Sequence, residues 1–169
     1  LGWHFQNVPS WASAVVNSDW VKLIDPPAAA LFSNRRAIGR VYIPDNDSNN
    51  LVMQGAAGAD QWFSRCQSIY SRASWIHAWE GPNEPPVSTP AQRSALVAFT
   101  RRWVQLMHQA NLRTVALCLS VGWPDIGQAP DLAAALDATD YWARHEYSAP
   151  SMREGETWYC LRYRRTVAE

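Results

Sequence analysis

The chain has 169 residues, enough for one domain with a sizeable core, so residues 1–169 read as a single domain. Fifteen basic and fifteen acidic side chains cancel, which removes the global field that would gather nucleic acid or an anionic membrane and makes a neutral partner the simpler expectation. No apolar run approaches the roughly 20 residues of a membrane span, and Leu1-Gly2-Trp3-His4-Phe5-Gln6 lacks the basic region, apolar core and cleavage site of a secretion signal.

Short apolar runs that read as buried strands alternate with longer runs that read as helices. The first strand, at 2–6, leads to a helix over 9–17 whose start is marked by Pro9 or Ser10. Strand 20–24 is followed by helix 27–35, and strand 38–43 by an irregular stretch over 44–58 and a helix over 59–73. Strand 75–80 precedes helix 90–110, where Ser88-Thr89-Pro90 supplies a cap and a tolerated proline, and Leu96, Phe99, Trp103, Leu106 and Met107 form an apolar stripe. Strand 114–120, helix 132–138, strand 141–147 and helix 157–168 complete the chain.

The irregular stretch opens with Asp45-Asn46-Asp47-Ser48-Asn49-Asn50, which resembles a calcium loop, yet Asn50 stands at the turn glycine and Ala56 at the bidentate glutamate, so ordinary turn chemistry is expected. Asn46-Asp47-Ser48 also matches a glycosylation sequon. Repeated strand-helix units with right-handed crossovers imply a parallel sheet covered by helices, either doubly wound or closed into a barrel. A complete (β/α)8 barrel takes about 250 residues. Since Ala168-Glu169 ends a helical pattern without a Gly or Pro stop, and the chain starts without Met, a longer gene product is expected, with open sheet edges that invite association.

Cys66, Cys118 and Cys160 are scattered and form no C-x-x-C pair, so they read as small buried apolar residues. The ten tryptophans suit both cores and the faces of sugars. There is no G-x-S-x-G elbow and no P-loop, and Gly55-Ala56-Ala57-Gly58 lacks the dinucleotide pattern. The four histidines show no H-E-x-x-H spacing, so neither a metal nor a cofactor is expected. His77 reads as a core histidine, His108 as surface or interface, and Arg162, Arg164 and Arg165 as a solvated helix face.

Ligands of parallel α/β folds sit at the carboxyl ends of the strands. Gathering the residues that close each predicted strand gives one polar rim: His4 and Gln6, Asp25, Asp45 and Asn46, Glu80 with Asn83 and Glu84, Ser120 with Trp123, and His145 with Tyr147. Alternation along a strand puts His145 and Tyr147 on one face and Glu146 on the other. Within this set Glu84 is the candidate catalytic acid: it follows a strand end, proline holds its loop, and burial among Trp79, Pro82 and Pro85 would favour the neutral form.

Trp79-Glu80-Gly81-Pro82-Asn83-Glu84-Pro85 resembles the fourth-strand signature of clan A glycoside hydrolases, which are (β/α)8 barrels. The resemblance implies that Glu84 is the general acid/base of a retaining glycosidase and that Asn83 bonds the sugar 2-hydroxyl. Glu80 would be structural, orienting its neighbours. It also implies that His4 closes the first strand, that His145 and Tyr147 belong to a sixth-strand element contacting the nucleophile, and that Trp123 is a sugar platform or a packed rim residue. The clan's nucleophile closes a seventh strand; Glu154 and Glu156 do not match that position, Asp45 and Glu146 are weaker stand-ins, and none is assigned. The expected function is hydrolysis of a β-linked glycan, with a carbohydrate-binding or structural barrel that has lost hydrolysis as the alternative.

Overall fold

A computed structural model describes residues 3–6, 9, 11–32, 34–146 and 163–168. Its strands are β1 (Trp3–Phe5), β2 (Trp20–Ile24), β3 (Arg36–Arg40), β4 (Ala78–Glu80), β5 (Thr114–Leu119) and β6 (Tyr141–Arg144). The helices are α1 (Ala12–Val15), α2 (Asp45–Met53), α3 (Ala56–Arg72), α4 (Pro90–Gln109), α5 (Ala133–Leu136), which continues a 3-10 turn at Ala129–Leu132, and α6 (Tyr163–Ala168).

All neighbouring strands are parallel and pair in the order β1-β2-β3-β4-β5-β6. A doubly wound sheet reverses its strand order at a switch point; this one never does. The chain is therefore an α/β protein whose sheet is compatible with an arc of an α/β barrel.

Register divides the sheet into two unlike faces. Val21 is paired with Ala37 and Gly39 with Trp79, and Val21, Leu23, Ala37 and Trp79 are buried with Trp62, Tyr70, Phe99 and Trp103 from α3 and α4. Tyr70 meets Trp79 at 4.7 Å between ring centroids, and Trp62 meets Phe99 at 5.9 Å edge to face. Removing each such ring from water contributes on the order of 3 kcal/mol. The opposite face carries His4 paired with Lys22, and Arg40 paired with Glu80. A barrel-like strand order with a polar second face is what positions the site.

Several sequence expectations are corrected. The stretch from Pro44 is not irregular, because α2 occupies Asp45–Met53: Asp45 and Asp47 fall in its first turn, where the helix dipole favours negative charge, and Ser48, Leu51 and Val52 form its buried side. Turn-rich composition there disguised a helix start. No helix forms over 27–35 among the described residues; Pro26-Pro27 resists one, and the Pro27 carbonyl accepts a hydrogen bond from Trp75 Nε1 at 3.1 Å. Strand β3 lies earlier than expected because Trp20 pairs with Arg36, whose guanidinium stacks over the Trp20 ring at 5.3 Å. Trp75 and Ile76 belong to the turn after α3, so β4 is three residues long. The first helix is shorter than predicted, and of the last predicted helix only Tyr163–Ala168 lies within the described residues.

Gly39 has a specific steric duty. A Cβ there would lie 2.7 Å and 2.9 Å from two carbons of the Trp79 ring and 3.1 Å from Ile76, so the bare backbone lets the Trp79 ring approach β3 closely. Gly39→Ala is expected to destabilise the fold by about 1–3 kcal/mol, read as a lower urea midpoint. An unchanged midpoint would contradict this packing.

Candidate active site

The loop joining β4 to α4 carries Asn83 and Glu84, and it is fixed at both ends. After β4, the Gly81 N–H donates to Val115 O at 3.0 Å and the Glu84 N–H to Cys118 O at 3.0 Å, clipping the loop to β5. Before α4, Thr89 and Gln92 form a reciprocal capping box with Pro90 in the first turn, as the sequence signalled. Arg93, only 6% exposed, donates from Nη1 to Val87 O at 2.9 Å and from Nε to Asp131 at 2.7 Å. Little slack remains between those anchors.

Backbone strain gathers here. Glu84 has φ +43°, and Leu117 and Cys118, in the register irregularity of β5, have φ +71° and +25°. Non-glycine residues in this region cost on the order of 1–3 kcal/mol each and persist where surroundings over-determine them. The irregularity turns the Cys118 carbonyl toward the Glu84 amide.

Glu84 Oε1 is hydrogen-bonded to His145 Nδ1, from the segment just after β6. That segment is itself held, since the His145 N–H donates to Leu119 O at 2.7 Å. One proton serves the pair: either the imidazole donates to the carboxylate or the carboxylic acid donates to the imidazole. The expected enclosure of Glu84 by Trp79 is absent, because Trp79 turns to the helix-covered face and the Glu84 side chain is 32% exposed. Its partner is an imidazole rather than an apolar wall.

Glu80 is the buried carboxylate, its side chain 2% exposed. Lys22 Nζ lies 2.8 Å from Oε1 as a hydrogen bond and 2.6 Å from Oε2 as a charge contact. Arg40 Nη1 stands 3.7 Å from Oε2 and donates to Asn83 Oδ1. Guanidinium has no acceptor, so this bond fixes the Asn83 amide with its oxygen toward Arg40 and leaves its NH2 as what it can offer a ligand. Cys118 is buried beside Glu80, and burial first, then that carboxylate, pushes its thiol well above 9.0.

His4 lies within the electrostatic reach of the same cluster. Desolvation, then the charges of Lys22 and Arg40, hold its pKa below 6.5 against the opposing pull of Glu80. Asn83 bonds Arg40, His4 feels both that cluster and His145, and His145 bonds Glu84, so the four residues from the ends of β1, β4 and β6 form one connected series at the strand ends.

Other expected site residues fare differently. Trp123 is half-buried and packed against the core, and its carbonyl accepts from Arg144 Nη2 at 2.8 Å. Tyr147, Glu154 and Glu156 lie outside the described residues. Asp25 accepts the Tyr42 N–H at 2.9 Å, Asp45 is exposed in the first turn of α2, and Glu146 lies 3.3 Å from Arg144. His77 is not a core residue: partly exposed before β4, it bonds the Tyr141 hydroxyl at 3.1 Å. His108 is at the surface, paired with Asp140 at 2.8 Å. Cys66 and Cys118 are buried free thiols, and Cys160 lies outside the described residues.

Lys22 and Arg40 are the residues that sequence reasoning missed. The alternation of Lys22 against Val21 and Leu23 was the available signal. Among the described residues no His, Cys, Asp and Glu side chains group to hold a metal, and no helix is long and apolar enough to cross a membrane. A surface hollow of about 550 Å³ along α4, lined by Arg101, Gln105 and His108, is built from none of these site groups. The chain matches no protein-family model and no curated protein.

A base whose folded pKa is lowered binds fewer protons folded than unfolded, so His4 subtracts stability as pH falls below 6.5 and leaves it unaffected well above that value. In an NMR titration, His4 is expected to have a midpoint below 6.5, and Glu80→Gln should lower it further by removing the one charge that raises it. A midpoint at or above 6.5 in the wild type would contradict the cationic setting.

Proposed function

We propose that the six strands are an arc of a (β/α)8 barrel and that the protein is a retaining glycosidase acting on a β-linked glycan, with Glu84 as general acid/base. The observation that carries the reading is the Glu84–His145 hydrogen bond beside Asn83, at the carboxyl ends of β4 and β6. It supports proton transfer because a carboxyl sharing one hydrogen with an imidazole has a partner in both of its protonation states.

In this mechanism Glu84 gives its proton to the glycosidic oxygen as the bond to the leaving group breaks, while a second carboxylate attacks the anomeric carbon. Retaining enzymes set those groups about 5–5.5 Å apart. Glu84, now ionised, then takes a proton from water as water displaces the carboxylate. The Asn83 NH2, left over once Arg40 has taken the amide oxygen, donates to the sugar 2-hydroxyl, a bond that strengthens as charge develops on the ring. We leave the attacking carboxylate unassigned: Asp45 is exposed on α2 and Glu146 is engaged with Arg144.

Glu84→Gln is expected to lower kcat/KM by about 10²–10⁴-fold on glycosides with alkyl or sugar leaving groups, and by much less on aryl glycosides that leave without protonation. Asp45→Asn should stay within a few-fold of wild type. Equal losses for both leaving-group classes would remove Glu84 from the proton-transfer role. Wild-type protein that binds glycans without turnover would favour a binding module instead.

A further inference from the structure

One nitrogen of the Arg40 guanidinium stands near two acceptors. Its Nη1 is bonded to the neutral amide oxygen of Asn83, yet stands only 3.7 Å from Oε2 of Glu80. A carboxylate is the stronger acceptor, since charge-assisted hydrogen bonds are roughly twice as strong as those to neutral groups. Among the described residues Oε2 has no hydrogen-bond partner, so on that comparison alone the guanidinium should close on it. It does not, and Lys22 is the reason available on the page: its ammonium lies against both oxygens of Glu80 and compensates a side chain that is 2% exposed.

We propose that Lys22 is a positioning residue: by offsetting the charge of the buried Glu80 carboxylate it leaves Arg40 on Asn83, and so keeps the Asn83 NH2 turned toward the substrate. The consequence for catalysis rests on the glycosidase reading; the competition itself does not. Without Lys22, Glu80 would be a buried anion lacking its main counter-ion, a situation proteins relieve strongly. Arg40 is the nearest cation that can relieve it, and a short swing of its guanidinium would do so. Asn83 would then lose the donor that fixes its amide, and its NH2 would no longer be held in one direction.

Register makes this coupling possible. Arg40 and Glu80 are direct partners across β3 and β4, and Lys22 pairs with Ile38, two residues before Arg40 on the same face. The three charges therefore lie on adjacent strands, where small side-chain movements exchange partners without any change in backbone.

The test compares crystal structures and kinetics of the wild type, Lys22→Met, Lys22→Arg, Asn83→Ala and the charge-neutral Lys22→Met/Glu80→Gln variant. In Lys22→Met, Arg40 Nη1 is expected on Glu80 and off Asn83. Activity on a β-glycoside should fall about 10–100-fold, and selectivity for a 2-hydroxy over a 2-deoxy glycoside should drop to that of Asn83→Ala. Lys22→Arg should keep both the contact and the selectivity. The double variant removes the competing carboxylate together with its cation, so Arg40 should return to Asn83 and selectivity should recover to within a few-fold of wild type.

An Arg40–Asn83 bond that survives in Lys22→Met would overturn the inference. So would a folded double variant in which Arg40 has left Asn83, a result that decides the matter even where Lys22→Met fails to fold. If wild type turns over no glycoside, the glycosidase reading fails while the crystallographic comparison still decides the role of Lys22.

Discussion

A carboxylate with 2% of its side chain exposed governs this structure. Taking Glu80 out of water costs several kcal/mol unless its charge is met in place, and the fold meets it with Lys22 from β2 and Arg40 from β3. Both cations need strands that run parallel and in register with β4, so the polar face of the sheet and the order of its strands serve one requirement. The Asn83 amide is then oriented through Arg40. The aromatic face behind the sheet, where Trp79 packs closely on Gly39, keeps β4 from shifting relative to β3.

Rigidity reaches Glu84 by a second route, through backbone. The β5 irregularity presents the Cys118 carbonyl to the Glu84 amide, and Arg93 with the Thr89–Gln92 capping box ties the far end of the same loop. Glu84 is thereby held at φ +43°, which a free loop would relax. His145 arrives from the neighbouring segment, itself bonded to Leu119 of β5. Glu84 and its imidazole partner thus share one strand as their support. Side-chain electrostatics orient Asn83 and backbone strain orients Glu84, two residues adjacent in sequence with separate means of positioning.

The rhythm of strands and helices was legible because buried parallel strands make short apolar runs: β2 falls at 20–24 as predicted, and α4 starts where Thr89-Pro90 announced it. The strand-end rule brought His4, Asn83, Glu84 and His145 together without coordinates. What it could not reveal is the polar face. Lys22 and Arg40 lie within strands, where a charge counts against burial until its partner is known, and Glu80 is separated from Lys22 by 58 positions. Helix α2 was hidden because acidic and amide residues signal a turn, a cation loop and a helix start alike; burial of Leu51 and Val52 decided among them. Trp123 showed the opposite difficulty, since a tryptophan on a rim reads the same whether it packs or binds.

The measurement that bears most directly on the account is a ¹H NMR time course of β-glycoside hydrolysis by the wild-type protein, recording which anomer of the released sugar forms first. A proton-donating Glu84 working with an attacking carboxylate produces the β-anomer before mutarotation. First formation of the α-anomer, or the absence of cleavage across β-glycosides, would contradict it.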